Sequence, residues 1–137
     1  MILLDTNVLS EPLKAHPAPA VIAWLDDQII DHLCISAVTA VEMLDGAARL
    51  DVGARRLRLE EAINSLIARF RCLPFDEFAA RSYAQLVERA RRAGHTISMG
   101  DAQIAAVAHS NGIEAVATRD TGPFEAMGLQ VRNPWAA

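Results

Sequence analysis

Four acidic residues occupy positions from which a polypeptide could hydrolyse a bond. Asp5 follows the apolar run Ile2-Leu3-Leu4, and Asp120 comes just after another, Ala115-Val116-Ala117-Thr118. Glu42 interrupts an apolar helical stretch, and Asp101 stands in Ser98-Met99-Gly100-Asp101, ahead of the apolar segment Ile104 to Ala108. A carboxylate taken out of water must be paired or must hold a cation. No lysine is near any of the four in sequence, and Arg119 is the one plausible local partner. Gathered at one edge of a fold, the four would repel one another strongly. A hard divalent cation with carboxylate and water ligands, Mg²⁺ or Mn²⁺, relieves that repulsion. Such an ion lowers the pKa of a bound water and stabilises charge on a phosphate in flight. Thr6 and Thr118 carry hydroxyls that could orient the water or a ligand carboxylate.

Each acid also has a plain explanation. Asp5 is as well suited to cap the following helix as to serve a site. Asp101 could answer a helix dipole, Asp120 could belong to the turn Asp120-Thr121-Gly122, and Glu42 could simply face solvent. Jointly these readings weaken, because Glu42 and Asp101 are flanked by residues that need burial. No His, Cys or Ser arrangement suggests a covalent nucleophile. His16, His32, His95 and His109 lack ligand spacing and are expected at the surface or at helix ends.

Hydrophobic spacing supplies the elements that would position the acids. Ile2-Leu3-Leu4 has no polar member, the habit of a central parallel strand buried on both faces. In open α/β sheets the C-terminal ends of strands line the site, so Asp5 is well placed. Thr6 to Leu13 reads as a short helix broken by Pro12 and the Pro17/Pro19 loop. Val21, Ile22, Trp24, Leu25 and Ile29 mark an amphipathic helix, and His32 to Ser36 a second strand. Ser36 caps a helix over Ala37 to Leu50. A long helix starts near Gly53, striped by Leu59, Ile63, Leu66, Ile67 and Phe70. Leu73-Pro74-Phe75 reads as a brief edge strand, since Pro is excluded from central ones.

Asp76 caps the next helix, with Tyr83 and Leu86 on its inner face, arginines outside and Gly94 at its end. The helix opened at Ser98 is almost wholly apolar, must be buried, and stops at Gly112. Ala115 to Thr118 is a strand, Phe124 to Met127 a helical turn, and Leu129 to Val131 a last strand. Helices alternating with short apolar strands imply an α/β fold, a parallel sheet with helices on both faces. The chain contains no internal repeat, linker or low-complexity segment.

With 137 residues, one domain spanning 1–137 is expected, and a hydrophobic content of 52% argues against disorder. No apolar run approaches the roughly 20 residues of a membrane helix, and no signal peptide is present, so a cytoplasmic location is expected. Cys34 and Cys72 read as two buried thiols. The net charge of −4 disguises a polarity. Between Arg49 and Arg92, ten arginines stand against six acids, a net of +4. The remainder holds three basic residues against eleven acids, a net of −8. This is either a pair of solvated helices or a basic wall beside an acidic centre.

The pattern resembles a known family. Met-Ile-Leu-Leu-Asp-Thr-Asn at 1–7, Glu42 in its helix, Gly100-Asp101-Ala-Gln-Ile-Ala-Ala at 100–106 and Ala117-Thr118-Arg119-Asp120-Thr121-Gly122 resemble the PIN-domain ribonucleases. Within these the chain is similar to the VapC toxins, and most to their FitB branch, through residues 3–13, Leu73-Pro74-Phe75-Asp76-Glu77 and Asn133-Pro134-Trp135. The resemblance covers essentially the whole chain. It implies a PIN-like parallel sheet of about five strands, a homodimer, and a Mg²⁺- or Mn²⁺-dependent endoribonuclease. It implies an antitoxin partner whose C-terminal tail covers the site and whose N-terminal half binds operator DNA. It carries the metal ligands onto Asp5, Glu42, Asp101 and Asp120, with Thr118 as the hydroxyl beside them. The chain departs from the family's pattern at Pro123, where many relatives have an Asp just before the Phe, which implies one firmly bound ion rather than two.

Two other readings compete. A phosphatase of the haloacid dehalogenase type also begins with an Asp after a first strand, but it needs a second Asp where Asn7 stands. A non-catalytic co-repressor, acting with a DNA-binding antitoxin on its own operon, is compatible with the sequence, because the resemblance to this branch allows action chiefly through the DNA-bound complex. The subunit interface is expected on the helix from Val21 to Ile29 and on the face carrying Tyr83 and Leu86.

Overall fold

Ile2–Leu4 forms β1, and it is the centre of the molecule in the computed structural model, which describes residues 1–137. The other strands are β2 (Leu33–Ser36), β3 (Arg71–Leu73), β4 (Ala115–Ala117) and β5 (Val131–Arg132). They form one sheet in the order β3-β2-β1-β4-β5, with every neighbouring pair parallel. Ile2 pairs with Leu33 on one side and Ala115 on the other, so β1 has no free edge. Seven helices make the connections: α1 (Thr6–Ser10), α2 (Pro19–Asp26), α3 (Ala37–Ala48), α4 (Ala54–Ile67), α5 (Glu77–Arg92), α6 (Met99–Ser110) and α7 (Thr121–Ala126).

The sheet divides two cores. Leu3 faces a cluster with Leu86, Ile104, Val116 and Phe124, which belongs to α5, α6 and α7. Leu4, one residue on, faces the opposite cluster with Val8, Val21, Ile35 and Ile63, which belongs to α1 through α4. Both leucines are wholly buried. Successive strand residues point to opposite faces, so a run with no polar member is what a doubly covered strand requires. The apolar α6 is buried as expected, with Ala102 and Ile104 to Ala108 all inside. No helix is long and apolar enough to cross a membrane.

Several boundaries differ from those read off the sequence, each for a local reason. The third strand ends at Leu73 and leaves out Pro74, which has no N–H to give to the ladder. The last strand starts at Val131, because the Leu129 N–H is spent on the carbonyl of Phe124 at the end of α7. The chain turns there at Gly128, whose φ of +83° is left-handed. A Cβ at Gly128 would also meet the Arg89 guanidinium. Gly128→Ala should therefore cost about 1–2 kcal/mol in urea unfolding, most of it backbone strain, because the arginine tip can move aside.

Cys34 is buried, but Cys72 is exposed, contrary to the expectation of two buried thiols. β3 is an edge strand whose first two residues are open to solvent. Of the surface expected for a subunit interface, Val21 and Leu86 are spent in the cores of the chain itself, while Ile29 is 62% exposed. The apolar side chains left outside include Val41, Phe75, Phe78 and Met99. The four histidines are exposed, and His109 lies in the last turn of α6. Of the ten arginines in the basic middle, Arg49, Arg56, Arg81 and Arg92 pair with an acid one turn away on the same helix. For these four the solvated-helix reading is the one that holds.

Candidate active site

Strand order places the site. β1 leads by way of α1 and α2 to β2 and then β3 on one side, and the chain then crosses to β4 and β5 on the other. Connections therefore leave β1 and β4 in opposite directions, and a crevice opens at the C-terminal ends of those two strands. Asp5 follows β1 and Thr118 follows β4, and the two side chains meet across that crevice. The Thr118 hydroxyl donates to Asp5 Oδ2 at 2.8 Å. Asp5 Oδ1 accepts the Thr6 N–H at 2.8 Å, so Asp5 also caps α1. The two readings of Asp5 are not alternatives: one oxygen caps the helix and the other faces the crevice.

The electrostatics are those of an acid held out of water. Asp5 is 4% exposed. Burial pushes its carboxyl up to about 6, against the lowering effect of its bonds from Thr118 and Thr6, and the charges of Asp101 and Glu42 push it further the same way. Asp101 stands in the first turn of α6, whose N-cap Ser98 accepts the Asp101 N–H. Burial raises its pKa as well, and among nearby charges Asp120 adds to that. Thus each of the four acids is felt by, or feels, another of the set.

Glu42 departs from expectation. It lies on a half-open helix and is exposed; its neighbour Val41 is 63% exposed. Its carboxylate nevertheless reaches the crevice. Glu42 Oε1 accepts from the Thr6 hydroxyl at 3.0 Å. Its Oε2 lies against Gly100, 3.7 Å from where a Cβ there would stand. Asp120 is exposed too, and its N–H donates to Thr118 Oγ1 at 3.0 Å. Arg119 forms no ion pair with any of the acids, and its guanidinium lies 5.2 Å from the Trp135 ring centroid.

A family model for the PIN domain matches residues 2–128. This chain belongs to the PIN-domain family. Along its length it is similar to the VapC ribonuclease Y4jK of Sinorhizobium fredii, 49% identical over 98% of both chains. It is similar to the toxin FitB of Neisseria gonorrhoeae, 46% identical over 98% of this chain and 99% of that one. A solved structure of FitAB bound to an IR36 DNA fragment superposes with a TM-score of 0.91, at 45% identity over 98% of this chain and 96% of that one. The resemblance to VapC and FitB read from the motifs is borne out, as is the five-stranded parallel sheet.

No three acids of this PIN domain stand close enough together, as placed, to grip one metal ion. The chemistry of the donors still fits a hard cation: all are carboxylates or hydroxyls, and Asp5 lacks a positive partner. Mg²⁺ is commonly held by one or two carboxylates with water completing the shell, so a three-acid grip is not a requirement. Asp5 is buried and Asp101 half-buried, while Glu42 and Asp120 are exposed. A groove of about 290 Å³ is lined by one of the acids, Glu42, with Thr6, Ser10, Met43, Leu59 and Ile63. A second cavity of about 310 Å³, between α1, α2 and α4, is lined by Leu9, Ile22, Leu25 and Phe70 and by none of the four acids.

Two residues of the PIN-domain site were given no role from sequence. The Asn7 amide donates to Thr118 Oγ1 at 3.4 Å while its Oδ1 accepts the Arg119 N–H at 3.3 Å, tying α1 to the loop after β4. Thr39, wholly buried, shares a hydrogen bond with Thr6 at 3.2 Å. Asn7 had a signal, its place two residues after Asp5 in the first turn of a helix. Thr39 had none.

Proposed function

We propose that this PIN domain is the toxin of a toxin–antitoxin pair and an endoribonuclease dependent on Mg²⁺ or Mn²⁺. The observation that carries the reading is the buried Asp5, bonded to Thr118 where β1 and β4 diverge and pushed up by the charges of Asp101 and Glu42. Asp5 and Asp101 would hold the ion, with Glu42 and Asp120 closing on it. When bound, the ion supplies an acidified water and relief of charge on the phosphate. Thr118 fixes the direction of the Asp5 carboxylate, and Thr6 does the same for Glu42. The names of the VapC and FitB relatives support the ribonuclease and toxin parts. The FitAB structure on DNA supports a partner that brings the toxin to operator DNA, and homodimerisation goes with the same reading.

The test is cleavage of single-stranded RNA by purified protein with Mn²⁺. EDTA should stop it, and Asp101→Asn should lower it by at least about 100-fold, since even residues one shell outside a metal commonly cost 10–100-fold. Asp101→Asn with full activity would refute the assignment. Metal-dependent turnover that disappears on antitoxin binding separates this reading from a purely co-repressing subunit, which would show none.

A further inference from the structure

We propose that Arg119 binds a phosphate of the RNA strand beside the cleaved bond, and that Trp135 is the positioning residue that holds it ready. The inference rests on the nuclease reading above and adds a substrate contact to it. An acidic crevice repels the polyanion it is meant to cut, so the strand needs a cation near the acids. Lys14, which lines the groove with Thr6 and Glu42, is already committed to Glu11 at 2.8 Å. Arg132, at the end of β5, reaches back to Glu114. Arg119 is different. Its backbone is fixed to the site, since its N–H donates to Asn7 Oδ1 and its neighbours are Thr118 and Asp120.

Its side chain is exposed and could have turned to a carboxylate beside it. Its charge is felt by Glu11, which Lys14 already pairs, but it makes no ion pair and lies over the Trp135 ring, 5.2 Å from the centroid. The platform is firm: Trp135 packs on the core of α1 to α4, and its backbone N–H donates to Asn133 Oδ1 at 3.0 Å. A guanidinium stacked by its face keeps the N–H edge free, and that edge matches a phosphate in a two-pronged fashion that ammonium does not. Stacking also limits the rotamers that must be frozen when the strand arrives. Trp135 lies 16 positions after Arg119, beyond β5, so the C-terminal residues close back onto the site.

The experiment uses the full chain and a fluorescein-labelled single-stranded RNA. Affinity is read by anisotropy in EDTA, and KM and kcat in Mn²⁺, both between 50 and 200 mM salt. Arg119→Ala should weaken binding about ten-fold, raise KM similarly and leave kcat within about two-fold. It should also reduce the slope of log K against log salt by about 0.7, the loss of one phosphate contact on a single strand. Trp135→Leu should weaken binding about three-fold with the slope unchanged, Trp135→Phe should restore it, and Arg119→Ala/Trp135→Leu should bind as Arg119→Ala alone. Cleavage by the wild type with KM and slope unmoved in Arg119→Ala would overturn this inference and leave the nuclease reading standing. A double variant weaker than Arg119→Ala by the full Trp135→Leu factor would overturn the role of Trp135. A wild type that neither binds nor cleaves RNA would overturn both readings.

Discussion

Asp5→Asn should abolish RNA cleavage and, in the same molecule, raise the stability of the metal-free protein. The two effects have one cause. Asp5 sits 4% exposed with no positive partner, and its carboxyl titrates near 6 rather than at its ordinary 3.8. Between those values the folded chain binds the proton more tightly than the unfolded chain, so folding stability falls as pH rises through the window. At pH 7 the full shift is worth about 3 kcal/mol of destabilisation. Asparagine keeps the oxygen that caps α1 and removes the charge. Its amide cannot accept from the Thr118 hydroxyl, so part of the gain is returned, and a net rise of about 1–2 kcal/mol is expected. Urea unfolding in EDTA at pH 7 and pH 4 measures it. The gain should be present at pH 7 and nearly gone at pH 4, where Asp5 is already protonated in the fold. A variant less stable than wild type at pH 7 would mean that Asp5 is satisfied without an ion. Cleavage should fall at least about 100-fold, because the lost charge is the one an ion would meet first on the buried side.

That pairing of instability with function explains why parts of the site were legible in the sequence and others were not. Ile2-Leu3-Leu4 announced a doubly covered strand because no residue in it could face water, and Asp5 at its end was then conspicuous. The buried α6 announced Asp101 in the same way. The exposure of Glu42 is not legible because α3 is apolar on both sides: Val41 and Leu44 remain 63% and 39% exposed, so hydrophobicity gives the helix no direction. Cys72 and the ends of β3 and β5 depended on which strand lay at an edge, and strand order is not a local property. The bond from Thr118 to Asp5 spans 113 positions, and that from Thr6 to Glu42 spans 36. The pairing of β1 with β4 brings the first pair together, and the pairing of β1 with β2, which leads into α3, brings the second. Arg119 reads from the sequence only as the one plausible local partner for an acid, and nothing near it in sequence points to a tryptophan beyond the last strand.

The largest loss of stability should come from Phe124→Ala. The sequence pattern placed Phe124 at the start of a helical turn, but α7 begins three residues earlier, with Pro123 in its first turn, where no N–H is required. Phe124 is therefore inside the helix and wholly buried, against the cluster that includes Ile104, Val116 and Met127. Removing a buried phenyl ring costs about 3–5 kcal/mol, transfer and cavity together. Against a total of about 5–15 kcal/mol for a protein of ordinary stability, that brings the chain close to unfolding at 37 °C. The thermal midpoint should fall by roughly 10 °C or more. Phe124→Leu, which refills most of the space, should cost under half as much. The damage should also reach the site, because α7 begins directly after Asp120 and Thr118 lies two residues before that. Residual cleavage by folded Phe124→Ala at 15 °C should accordingly show a weakened dependence on Asp120→Asn, whereas in the wild-type background the same substitution is fully felt. Urea midpoints for the two Phe124 variants, with equal m-values, decide the packing claim. A loss below about 1 kcal/mol for Phe124→Ala would place the ring outside the core and release the loop after β4 from the anchor assigned to it.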